Sequence, residues 1–382
     1  MTRSRLRLAA ELLGPLALVG VVALVAAHLS TSDQTDAISV LVTATIVVGL
    51  YVFIGNSGVI SFGQISFAAV GAFAAGIYTT PVSTRKTTMP DLFGFLGRPV
   101  LTNLESLLVA AGLGALFALL VGLALMRLSG LAAGIATFAV LEITYNILAN
   151  WEKIGPGPTT LASVPVTTGV GQATIGCAVA VVVAFAYQRS RSCRLLRASR
   201  ADALAARGIG VSIVRHRLGA FVLSGAICGF AGALYVHSLG SINVTEVYLA
   251  LTFSTLAMLV VGGSQSLWGA TLGGILLGIL SSFLTNAENG TTVLGLSFTL
   301  PNGLSSIIFA ILFVGALMLF PRGLTRNREF LAKALGERPD GAGVVLGGGG
   351  GPGDGSVAGG GADGTAAAAT TAHVTAVAEP EP

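Results

Sequence analysis

Four stretches of this sequence combine residue types that can do chemistry. Glu142 stands inside the apolar run 130–150. A carboxylate at that depth in a membrane helix is costly, and implies a function or a buried partner. It can bind a cation or a proton, or simply hydrogen-bond between helices. The stretch Gly55–Phe73 places helix breakers beside polar side chains, with Gly58, Ser61, Gly63, Gln64 and Phe67 in its first half. Irregular backbone at membrane depth is tolerated only when buried in protein or lining a wet cavity. These five residues and Glu142 are therefore candidates for a translocation pathway. An ordinary turn followed by close packing at Gly71 and Ala75 is the competing reading.

The third stretch is the loop 189–217. Arg191, Arg194, Arg197 and Arg200 recur every three residues, then Ala201-Asp202-Ala203-Leu204-Ala205-Ala206-Arg207-Gly208-Ile209-Gly210 follows. Alanine and arginine favour helix, and a glycine can end one. The loop reads as a short helix between two apolar runs. Composition leaves open whether its arginines hold anionic lipid headgroups or its small residues fit a partner's groove. The docking candidates are Arg200, Asp202, Ala205, Ala206, Gly208 and Gly210. The fourth stretch, Gly262–Gly273, is a tight turn with Trp268 at interfacial height.

Other chemistry is missing. A phosphate loop needs a glycine-rich turn ending in Lys-Ser/Thr, and Lys86, Lys153 and Lys333 lack that context. His28, His216, His237 and His373 are scattered, and Cys177, Cys193 and Cys228 have no metal or redox spacing. No enzyme is read here, and no cofactor on this chain; any ATP and Mg would belong to partner subunits.

The surrounding elements are set by composition. The chain is 53% hydrophobic and 10% charged over 382 residues, against about 25% charged in a typical soluble domain. That excludes an ordinary soluble enzyme and makes the net charge of +4 a matter of membrane topology rather than nucleic-acid binding. Apolar runs of spanning length occur at 12–29, 37–54, 58–80, 104–126, 130–150, 171–188, 218–237, 248–263, 267–285 and 301–320. The expected fold is an all-α polytopic membrane protein with about ten transmembrane helices and both termini in the cytoplasm. That placement puts 17 of the 21 Lys and Arg inside, leaving Arg85, Lys86, Arg98 and Lys153 outside. The run 58–80 begins polar and suggests a broken helix. Residues 1–36 read as an uncleaved anchor helix with a short outer loop. Residues 37–325 read as the transmembrane domain, and 326–382 as a disordered Gly/Ala-rich cytoplasmic tail.

These motifs, in this order, resemble the LivM-type permease subunit of branched-chain amino acid ABC importers. Gly58 to Phe67 is similar to that family's early glycine-rich stretch, and Thr137–Glu142 to its Thr-x-x-x-x-Glu helix. Arg200, Ala205, Ala206 and Gly210, followed by His216-Arg217-Leu218-Gly219-Ala220-Phe221, are similar to its cytoplasmic segment. Gly229–Tyr235 and the Gly262–Gly269 turn continue the resemblance, which spans roughly 37–325. The outer loop departs from it with Gly155-Pro156-Gly157-Pro158-Thr159, as does Ala201 where an acid is common.

The resemblance implies a multi-pass bacterial cytoplasmic-membrane permease. It implies a LivH-like second permease subunit, two cytoplasmic ABC ATPases docking on Arg200–Gly210, and an extracytoplasmic substrate-binding protein. The implied cargo is leucine, isoleucine or valine. Urea, short amides or another amino acid are alternatives in the same class. An ion-coupled carrier using Glu142 is the alternative from another class.

Overall fold

The computed structural model describes residues 3–94, 100–288, 292–293, 296–297, 301, 303–319 and 323–325. Each apolar run lies on a helix. The first becomes α1 (Arg3–Ala26) and the second α2 (Thr31–Ser57). The third gives α3 (Gln64–Thr79), which bends by 118° into the short α4 (Val82–Thr88). Then come α5 (Asn103–Leu125), α6 (Gly130–Asn150) and α7 (Val170–Gln188). Two short helices, α8 (Arg191–Ala201) and α9 (Ala203–Gly208), lead into α10 (Ile213–Leu239). A 3-10 turn at Val244–Val247 precedes α11 (Leu249–Gly262), followed by α12 (Leu267–Glu288) and α13 (Leu304–Leu319). Between α12 and α13, β1 (Thr292–Val293) pairs antiparallel with β2 (Leu296–Ser297).

The protein is an all-α membrane protein, but the span count differs from the ten apolar runs. Among the described residues seven helical segments are long and apolar enough to cross a bilayer, or eight if the bent α3–α4 pair is one span. The apolar part of α1 is shorter, at Glu11–Ala26, and α13 has 16 residues. The third run shortens because Gly58–Gly63 stays out of helix, and α3 begins only at Gln64. The proposed tail, 326–382, and Arg98 lie outside the described residues.

Helix ends fall into two groups. One holds the α2–α3 turn, the α5–α6 turn, α8–α9 and the α11–α12 turn. There Arg217 Nη1 donates to Leu128 O at 3.2 Å, Leu324 N to Val261 O at 2.7 Å, and Arg189 pairs with Glu11 of α1. At the other, Leu161 bridges to Ile242, Val164 N donates to Gly240 O at 3.0 Å, and Phe93 N to Lys153 O at 3.0 Å. His237 fastens this second end. It is buried, with Nε2 at 3.0 Å from Ser106 Oγ and Nδ1 at 3.1 Å from Pro165 O.

The core is α10 packed on α2, α3 and α5. Lipid tails are as apolar as leucine, so helices in a bilayer associate through close van der Waals fit at small residues. A Cβ on Gly232 would lie 2.0 Å from Ala68 O, and one on Gly71 2.2 Å from Gly229 O. α2 is buried from Val40 to Ser57 apart from Thr43, and Ser224 of α10 donates to its Gly49 O at 2.7 Å. By contrast α5, α6 and α7 turn leucines and isoleucines outward, among them Leu108, Leu131 and Ile175.

The packing is testable. Gly232→Ala should lower the stability of the detergent-solubilised protein by about 1–3 kcal/mol through overpacking. Gly219→Ala, on the same helix but with open space around it, should leave thermal unfolding unchanged or slightly delayed. Equal melting of the two variants would contradict the close α3–α10 contact.

Candidate functional site

Two of the candidate residues, Gly58 and Arg200, meet at the last turn of α2. A helix ends with carbonyls that lack intrahelical partners and carry partial negative charge. Here α8 supplies the cations. Arg200 Nη1 donates to Gly55 O at 3.0 Å. Arg197 Nε donates to Asn56 Oδ1 at 2.8 Å, and its Nη2 to Tyr51 Oη at 2.9 Å. Cys193 Sγ approaches the same Asn56 oxygen at 3.1 Å. Burial, reinforced by nearby Arg197, pushes the Arg200 guanidinium below its ordinary value, yet arginine stays charged. Gly58 closes α2 at φ 71°, donating its N–H to Ile54 O at 3.0 Å. A Cβ there would sit 2.7 Å from Arg200 Nε. Glycine at 58 thus serves both the left-handed turn and the arginine packed over it.

The expected single helix of the basic loop is in fact two. Asp202 is extended (φ −147°, ψ 108°), and its carboxylate accepts the N–H groups of Leu204 at 2.9 Å and Ala205 at 3.0 Å. It caps α9 and breaks it from α8. At the far end Val211 N donates to Ala206 O at 3.0 Å and Gly210 N to Arg207 O at 2.9 Å, with Gly210 at φ 81°. This is a Schellman stop, which requires glycine at Gly210. Gly208 has neither a positive φ nor a close neighbour. Ala206 is buried against its own chain, whereas Ala205 and Arg207 are exposed. Leu204 and Ile209 are each 80% exposed, so α9 presents two large apolar side chains beside small and basic ones.

From Gly58 the chain runs without helix to Gly63. Phe62 N donates to Thr137 Oγ1 on α6 at 3.2 Å, and Thr137 in turn to Gly134 O at 2.9 Å. The Phe62 ring meets Phe138 of α6 and Phe253 of α11, each edge-on at 6.1 Å. A mostly apolar cleft of about 320 Å³ opens beside Phe62 and Phe253. Ser61 and Gln64 are buried. Phe67 is buried too, edge-on to Phe117 and Phe221 at 5.6 and 5.2 Å, which places it in the helix core. Neither amide atom of Gln64 has a hydrogen-bond partner, nor does Ser66 Oγ. Such groups cost about 1–3 kcal/mol each.

Glu142 lies further along α6, half-buried. It accepts from Tyr248 Oη and, at 3.1 Å, from Asn146 Nδ2. Tyr248 stands at the break between the 3-10 turn and α11, stacked on Tyr145 with centroids 4.0 Å apart. Among the described residues no cation pairs with Glu142, and no His, Cys, Asp or Glu group could hold a metal ion.

Residues 36–317 match the family described as branched-chain amino acid transport system / permease component. The chain belongs to this family. As a permease-family chain with several spanning helices it is an integral membrane protein. It is 27% identical over 263 residues to the high-affinity branched-chain amino acid transport system permease protein LivM of Salmonella typhimurium. That alignment covers 60% of this chain and 58% of the relative, so the chain spans under two thirds of that relative's length. It is 30% identical over 236 residues to the autoinducer 2 import system permease protein LsrC of an Enterobacter species, covering 59% and 66% of the two. A shorter stretch, 34% of this chain and 39% of the relative, is 29% identical to a probable branched-chain amino acid transport permease protein LivH of Methanocaldococcus jannaschii. No solved structure matches.

In this permease the motif residues divide by role. Gly58, Arg200, Asp202 and Gly210 shape and anchor the α8–α9 segment. Ser61, Gly63 and Gln64 sit where α3 starts against α6. Glu142 belongs to a separate group further along α6. Sequence reasoning missed Tyr51 and Asn56, whose partners lie more than 140 residues away, and Tyr248, whose role depends on a helix break. The exposed Leu204 and Ile209 carried a usable signal: bulky apolar residues inside an otherwise Ala/Arg segment.

Gly210→Ala should loosen the end of α9 by about 1–2 kcal/mol and raise amide exchange across 203–211, while Gly208→Ala should not; equal exchange in both would contradict the Schellman stop. Gln64→Met should raise the unfolding temperature, because it removes two unsatisfied buried groups at similar volume. A lower unfolding temperature would show that the amide is paired.

Proposed function

We propose that this chain is the membrane permease subunit of an ABC importer that carries branched-chain amino acids (leucine, isoleucine and valine) into the bacterial cytoplasm. Both termini and α8–α9 face the cytoplasm, in accord with the bias of Lys and Arg. Two separate ATPase subunits, which hold ATP and Mg, dock on α9. A LivH-like permease subunit completes the membrane part, and an extracytoplasmic binding protein delivers the solute. The likeness to LivM supports the cargo, and the likeness to LsrC supports a second reading in which another small polar solute is carried.

One observation carries the coupling role: an exposed α9 whose neighbour α8 is pinned to the end of a buried helix. A push on Leu204 and Ile209 passes to α8, then through Arg197 and Arg200 to Gly55, Asn56 and Tyr51 of α2. From there the backbone runs through Gly58 to Phe62, which is hydrogen-bonded to Thr137 of α6. The path is contiguous, as mechanical coupling between distant sites requires when it runs through packed elements. A lipid-bound loop has no need of that connection.

Purification of the tagged protein in mild detergent, with partners identified by mass spectrometry, tests the assembly. Recovery of an ABC ATPase and a second permease is expected; the chain alone, under conditions that preserve a control importer, overturns it. In the reconstituted complex, Leu204→Asp should reduce leucine uptake about tenfold or more, as loss of a central apolar anchor does, with the chain still folded. Unchanged uptake would remove α9 as the docking surface.

A further inference from the structure

Glu142 sits on α6 in an arrangement the coupling path leaves unused. Its two hydrogen bonds come from neutral donors, Tyr248 Oη and Asn146 Nδ2. Both orient the carboxylate and neither neutralises it. Each carboxylate oxygen accepts more than one hydrogen bond, so acceptor capacity remains. The stack of Tyr145 on Tyr248 fixes the tyrosine that holds it. The face is open: Asn146 is exposed, Glu142 is half-buried, and Phe138 is 37% exposed.

Phe138 lies four residues before Glu142, hence on the same face, one turn away. It begins an aromatic wall that continues through Phe62 to Phe253. An anionic oxygen pair next to an aromatic, aliphatic-compatible wall fits a small molecule with a cationic head and an apolar body. A carboxylate in a membrane helix that has, among the described residues, no cation beside it is costly, and a passing cation would relieve that cost.

We infer that Glu142, held by Tyr248 and Asn146, is a specificity-determining site that receives the ammonium group of the transported solute while Phe138 and Phe62 receive its aliphatic side chain. The inference rests on the importer reading above, and it assigns that pathway a chemical preference for primary ammonium compounds with a short branched apolar body. Glu142 touches the cargo; Tyr248 and Asn146 are positioning residues.

The test uses the complex of permease and ATPase subunits in nanodiscs, without the separate solute-binding protein, and reads binding of radiolabelled leucine in competition with two probes. Isopentylamine keeps the branched body and the ammonium, whereas isocaproate keeps the body and the carboxylate. Isopentylamine should displace leucine and isocaproate should not. Glu142→Gln, which preserves size and one of the two acceptor oxygens while removing the charge, should weaken leucine binding by about tenfold or more, near the strength of a charged hydrogen bond. Tyr248→Phe should weaken it less, because the charge remains. Equal competition by the two probes, or wild-type affinity in Glu142→Gln, overturns the site and leaves the importer reading standing. Absence of leucine binding by the wild-type complex overturns both.

Discussion

Inside a bilayer a backbone N–H or C=O has no water to turn to, so every departure from helix must find its partner within the protein. This constraint organises the whole chain. Long stretches satisfy it by remaining helical. At the end of α2, the carbonyl of Gly55 is met by a guanidinium from α8. In the turn that follows, the N–H of Phe62 is met by a threonine of α6. At the break before α11, the first N–H of the new helix to find a partner bonds back to Tyr248 O, at 3.0 Å from Thr252. The irregular places are thus also the places where distant segments of sequence are tied together.

The arginines of α8 explain why the α8–α9 segment is more than a basic surface loop. They act as a cap for α2, and their charge is suited to a helix C-terminus. Because α2 is buried along most of its length, the cap connects an exposed helix to the centre of the bundle. The close contacts of α10 with α3 and α5 make that centre stiff, since packed interiors transmit strain rather than absorb it. α6 is different. Its packing neighbours are fewer, and it carries the polar group around Glu142 on an open face.

Much of this was legible in the sequence because it is local. The apolar runs gave the helices, Gly58 and Gly210 marked real turns, and the arginine period marked α8. The division of α8 from α9 was missed although Asp202 is a strong capping residue, since an Ala-rich context outweighed it. Ala205 and Ala206 were grouped together, but one residue of helical rotation, about 100°, leaves Ala205 exposed and turns Ala206 against its own chain. The pairing of Glu142 with Tyr248 could not be read, because it joins two helices across more than one hundred positions at a backbone break that composition does not announce. The third run differs for a related reason: hydropathy shows where apolar residues are, not that Gly58–Gly63 stays out of helix and delays α3 to Gln64.

The open face of α6 sets how this chain can meet the bilayer. A chain that exposes a carboxylate and an asparagine amide at membrane depth pays about 2.5–3.5 kcal/mol for the acid alone when it meets lipid. That penalty disappears only when the face is covered or wetted. A chain whose α6 face meets lipid is therefore less stable than one whose face is covered or wetted.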